Sequence, residues 1–160
     1  MKGVKAACFG LFALLGACAL EPPPPAMTPL QIQTLQTRQY ENDKDVVFAS
    51  VVSVFQDLGY SIKGADKDTG FISAESATTG GAADFLDLLF DQAQSSQTFA
   101  TAFVERIGDK TSVRLNFVTR HESSSEYGQN RRHDSPILDA ETYQNAFERI
   151  ENAIFVRSAN

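Results

Sequence analysis

Residues 43–75 read DKDVVFASVVSVFQDLGYSIKGADKDTGFISAE, and a change of period inside this stretch decides the fold. Val47, Val51, Val54 and Leu58 recur at intervals of four and three, with Phe48, Val52 and Phe55 on the adjoining stripe. That spacing draws one broad apolar face on a helix. Asn42 can cap its first turn, Asp45 favours the positive end of its dipole, and Gly59 suits the left-handed position after its last turn. So many valines lower intrinsic helix propensity, so this helix depends on burial against another layer. Tyr60 to Lys63 then reads as a strand, Asp66 to Gly70 as a turn, and Phe71 to Glu75 as the second strand of a hairpin.

Working outward, Leu30 to Tyr40 alternates apolar and polar residues, as a half-buried strand does, with a phase change near Thr34. That change marks a bulge or a strand that begins later. Downstream, residues 78–97 interrupt the rhythm. Gly80-Gly81 and Ser95-Ser96 flank a short helical pattern at 83–91, with Asp84, Asp87 and Asp91 clustered on one side. Alternation resumes from Thr98 through Phe99, Thr101 and Phe103, turns at Gly108-Asp109, and continues in Val113, Leu115 and Phe117. His121 to Pro136 is polar and reads as a loop. Asp139 can cap a final helix in which Tyr143, Phe147, Ile150 and Ile154 recur at three- and four-residue intervals. The expectation is a two-layer α+β domain over residues 30–157. It has a four- to five-stranded antiparallel sheet, two long helices on one face, and an insertion at 78–97 carrying a short helix.

The N-terminus decides location. Lys2 and Lys5 precede an uncharged apolar run from Ala6 to Ala17, too short to cross a bilayer that needs ~20 apolar residues. This is the pattern of a secretory signal peptide over residues 1–17. Leu15-Gly16-Ala17-Cys18 resembles the lipobox of bacterial lipoproteins. The resemblance implies that Cys18 becomes the acylated first residue of the mature chain. Residues 18–29 follow as a spacer in which Pro22 to Pro25 favour an extended polyproline rod. Ala19 stands where an Asp commonly retains such lipoproteins at the inner membrane, so the resemblance implies a lipid anchor in the outer membrane, on its periplasmic face. Two or more acyl chains hold stably where one is marginal.

Loss of Lys2 and Lys5 with the leader leaves 12 basic against 20 acidic side chains, a net charge of −8. An acidic chain gains nothing from counterion release on nucleic acid, which is not an expected partner. Cys8 leaves with the leader, so no disulfide, thiol nucleophile or cysteine metal site remains.

No constellation specifies a reaction. The serines lack a Gly-x-Ser-x-Gly context and the glycines lack phosphate-loop spacing. Asp66 and Asp68 read as turn acids. His121 and His133 lie twelve apart in a polar segment, and a metal site with Glu122 or Asp134 gives way to solvated loop histidines. No metal and no cofactor beyond the covalent lipid on Cys18 is expected. Arg120, Arg131, Arg132 and His133 form a local basic run. The candidate contact residues are Phe85, Leu86, Leu88, Leu89 and Phe90, an apolar set that reads either as a helix packed over the open sheet face or as a lid or docking helix seated in a partner's groove.

Arg38-Gln39-Tyr40, Phe55 to Ile62, Asp68 to Ala74 and the closing Ile150, Ala153, Ile154 and Phe155 resemble a group of small bacterial lipoproteins of unassigned function. The β-α-β-β…α order is also similar to the helix-grip domains in the lipoprotein subunit of the outer-membrane β-barrel assembly machine. These likenesses imply a fold and bring no catalytic residue. The expected function is a non-catalytic outer-membrane lipoprotein that binds another envelope protein as an assembly or secretion accessory. The alternative is a small-ligand or lipid-binding module, with sheet and C-terminal helix enclosing an apolar cup.

Overall fold

The computed structural model describes residues 26–80, 93–124 and 130–159. The chain runs α1 (Pro29–Gln36), β1 (Thr37–Tyr40), α2 (Lys44–Asp57), β2 (Ser61–Asp66), β3 (Phe71–Glu75) and β4 (Thr79–Gly80). It continues as β5 (Ala93–Ile107), β6 (Lys110–Ser124), β7 (Asn130–Pro136) and α3 (Ala140–Ser158). It is an α+β fold with an antiparallel sheet, as the periodicities imply.

β5 and β6 form one long hairpin, paired from Ile107↔Lys110 to Ala93↔Ser124. The half nearer the turn lies in the middle of a sheet ordered β1-β6-β5-β3-β2. The far half, here called the arm, is flanked by β4 beside β5 and β7 beside β6. Ile72, Ala74, Ala100, Ala102, Val104, Val113, Leu115 and Phe117 alternate onto one face of the sheet and are buried there. They share a core with Val47, Val51, Val54 and Phe55 of α2 and Tyr143, Phe147, Ile150 and Ile154 of α3. Each buried Val, Leu, Ile or Phe contributes about 1.5–3 kcal/mol, which offsets the poor helix propensity of α2. Phe55, Tyr60 and Phe117 meet one another in a triangle of tilted and edge-on rings, and Phe117 also meets Tyr143 edge-on, with centroids 5.3 to 6.3 Å apart.

Two glycines hold this arrangement. After α2, Gly59 has φ 83°; its N–H bonds the Gln56 carbonyl while that of Tyr60 bonds Phe55, both at 2.9 Å. These two bonds and the Phe55–Tyr60 contact are the Schellman ending. Gly70 closes the β2–β3 turn at φ 80°, and its carbonyl accepts from Val104 N–H at 2.9 Å. A Cβ there would lie 1.9 Å from the Val104 carbonyl oxygen, so the turn packs backbone on backbone.

Several elements differ from the sequence expectation. Leu30 to Gln36 is helix, and the strand begins only at Thr37. Thr28 accepts from Gln31 N–H while the Gln31 side chain accepts from Thr28 N–H, a reciprocal capping box reinforced by Pro29 in the first turn. Asn42 does not cap α2. Asp43 holds that position, and the Asn42 side chain instead donates to Ser158 Oγ at 3.0 Å. The polar stretch from His121 is strand: β6 continues to Ser124 and β7 pairs back against it. β5 starts at Ala93, so the insertion shrinks to 81–92, and the short helix expected at 83–91 falls outside the described residues.

Three of the sheet's borders are blunted against pairing with another chain. β2 carries Lys63 and a register shift between Ile62 and Gly64, β1 has only four residues, and β7 is charged and ends at Pro136.

Candidate functional site

Because α1 is short and its apolar residues are few, it does not seat fully on α3. Leu35 is half-buried, whereas Leu30 is 72% exposed. Between the two helices lies a groove of about 780 Å³. Met27, Leu30 and Leu35 give one wall an apolar surface, and Tyr143 and Phe147 do the same for the other. Arg38 and Tyr40 of β1 line its base, and Glu148 and Glu151 add acidic groups from α3.

The base of the groove is fixed by its own contacts. The Arg38 guanidinium carbon sits 5.2 Å from the Phe147 ring centroid, a stack that holds the cation against an apolar surface. The Tyr40 hydroxyl donates to the Phe147 carbonyl at 3.5 Å. Burial pushes its phenol well above the ordinary value, a rise partly opposed by Arg38 and aided by Glu151, so it stays a donor. At the end of α1, buried Gln36 donates to Asn116 and to the Tyr143 hydroxyl at 3.3 and 3.4 Å, tying α1 to both the sheet and α3. This arrangement can grip an apolar segment and orient it by a few polar contacts. Among the described residues it presents no nucleophile paired with a base.

The sheet face turned away from the helices is a second exposed surface. Phe71 and Phe103 are direct cross-strand partners there, 46% and 41% exposed. Beyond them the Arg120 guanidinium carbon lies 4.0 Å from the centroid of Phe99, and its Nε and Nη2 donate to both oxygens of Asp134 at 3.0 and 3.3 Å.

The candidates named from sequence fall in different places. Cys18 and the set Phe85, Leu86, Leu88, Leu89 and Phe90 lie outside the described residues. The basic run does not form one patch. Register puts Arg120 and Arg132 on the open sheet face, both against Asp134, and turns Arg131 and His133 to the other side. Glu122 and Asp134 likewise face away from the histidines, whereas His121 and His133 are brought directly opposite one another. Asp66 organises its turn by accepting from Thr69 and Asp68 N–H, and these bonds, Thr69 first, hold its carboxyl below the usual range. Among the described residues, no three His, Cys, Asp or Glu side chains gather as a metal cluster would require.

No protein-family model matches the chain, and no curated protein does. Among solved structures, a DUF4468 family protein from Bacteroides ovatus is similar, with a TM-score of 0.38 and 7% identity over 74% of this chain and 84% of that one. A likeness at that level carries no functional argument.

The groove was missed in sequence because Leu30 to Gln36 read as strand. Thr28-Pro29-Leu30-Gln31 was the available signal, a cap, an N-terminal proline and the Gln that completes the box.

Proposed function

We propose that this chain is a non-catalytic lipoprotein, anchored through Cys18 on the periplasmic face of the outer membrane, that binds another envelope protein as an assembly or secretion accessory. The observation that carries this reading is the α1–α3 groove, whose wall begins at Met27, directly after the proline-containing spacer. A partner segment seated there lies close to the tether, held off the bilayer by a chain that extends ~3.1 Å per residue in its polyproline part. The occupant is an amphipathic or extended segment with apolar anchors for Leu30, Leu35 and Phe147, and a basic residue for Glu148 and Glu151. Phe85, Leu86, Leu88, Leu89 and Phe90 supply a second apolar contact. The helix-grip description belongs to the same proposal, α2 and α3 packing against the sheet as the grip.

The alternative, a small-ligand or lipid-binding module, draws on one observation. The groove's volume falls within the roughly 300–1,000 Å³ of ligand pockets. Its place differs from the cup first expected, because the space between sheet and α3 is filled by Leu115, Phe117 and Ile150.

In-cell photo-crosslinking decides between them. A crosslinker at Gln144 in the groove, with a second set at Phe85 to Phe90, is expected to capture one envelope protein, and Leu30→Glu should abolish capture from Gln144. Absence of any captured protein at both places, with a lipid found by native mass spectrometry of detergent-free material, would replace this reading with the ligand module.

A further inference from the structure

We propose that His121 and His133, opposed across β6 and β7, bind one divalent transition cation of the zinc, nickel or copper class. Their separation in sequence gave no reason to pair them, and the antiparallel register does, which revises the expectation of no metal. Directly opposed residues on neighbouring strands share a face, with Cβ atoms about 4.5–5.5 Å apart. Two imidazole rings on that base can each reach a common ion at about 2.0–2.1 Å. Both side chains are exposed, so the rings can turn toward the ion without disturbing packing.

The neighbouring rung preorganises them. Arg120 is bonded through two nitrogens to Asp134 across the same two strands, and its guanidinium lies over Phe99 of β5. This clamp fixes the alignment of β7 with β6 one residue away from the histidine pair. It also occupies Asp134, and Glu122 lies on the opposite face beside Arg132, so neither carboxylate joins the site. Among the described residues the protein ligands are therefore the two imidazoles, and water completes the shell. Imidazole donors suit zinc, nickel and copper, whereas magnesium and calcium require oxygen cages.

The test uses the processed chain without an affinity tag, with any free Cys18 thiol alkylated, so that no thiol competes. Zinc is titrated by calorimetry, and nickel is followed by paramagnetic broadening of the two histidines' ring signals. The expected result is one ion per chain, both rings broadening together, and affinity reduced about tenfold or more by either His121→Ala or His133→Ala. E122Q should leave binding unchanged, and magnesium should not compete. Broadening of one ring alone, binding that survives both histidine substitutions, or a loss with E122Q equal to theirs would overturn the proposal.

Discussion

One hairpin contains two regions of opposite character. In β5, Phe99 to Val104 alternates between the open face and the core, and Val113 to Val118 does the same in β6. Ala93 to Thr98 and Thr119 to Ser124 continue the same two strands with glutamines, serines, threonines and charges. The ladder runs through both halves, but among the described residues apolar burial stops where the alternation stops. Backbone pairing alone therefore extends a strand well past the core. Among the described residues, what steadies the arm is a local clamp, Arg120 between Phe99 and Asp134, rather than a packed face.

The largest effects should fall in the core half. Phe117→Ala removes the ring that joins Phe55, Tyr60 and Tyr143, and is expected to cost about 3–5 kcal/mol in urea denaturation. Gly70→Ala forces a Cβ against the Val104 carbonyl in a left-handed turn, and should cost at least about 2 kcal/mol. A loss under about 1 kcal/mol for either would mean that this half is not the cooperative core.

Acid sharpens the contrast by acting on the polar periphery. Thr69 holds the Asp66 carboxyl below its ordinary range, Arg120 does so for Asp134, and the Thr142 side chain does so for Asp139 at the start of α3. A carboxyl whose folded pKa is lowered contributes fully above its unfolded value near 4 and loses that contribution as pH falls through the folded one. The urea midpoint should therefore decline from about pH 5 downward, and D66N with D139N should flatten that decline. An acid response unchanged by these substitutions would assign it to other groups.

The smallest expected stability change comes from the groove. Leu30→Glu at an exposed position should alter stability by no more than about 0.5 kcal/mol while removing the partner contact. A large loss of stability would instead make α1 part of the packed fold.

This contrast also explains what could be read in advance. Val47, Val51, Val54, Phe55, Tyr143, Phe147, Ile150 and Ile154 were legible because a buried helix face repeats with the helix. Val113, Leu115 and Phe117 were legible because one sheet face is covered and the other is open. β7 and the far half of β6 were not, because strands without a buried face carry no period-two apolar signal. The groove needed α1, whose Leu30 and Ile32 alternate as a strand does until the cap at Thr28 is noticed. The histidine pair needed register, which no spacing within a polar stretch reveals.

Residue-resolved amide hydrogen exchange along β5 and β6 tests this division most directly. The account predicts that Ala100 to Val104 and Val113 to Phe117 exchange only through global unfolding, with Gln94 to Thr98 and Thr119 to Ser123 faster by about a hundredfold or more. Equal protection along the whole hairpin would contradict it.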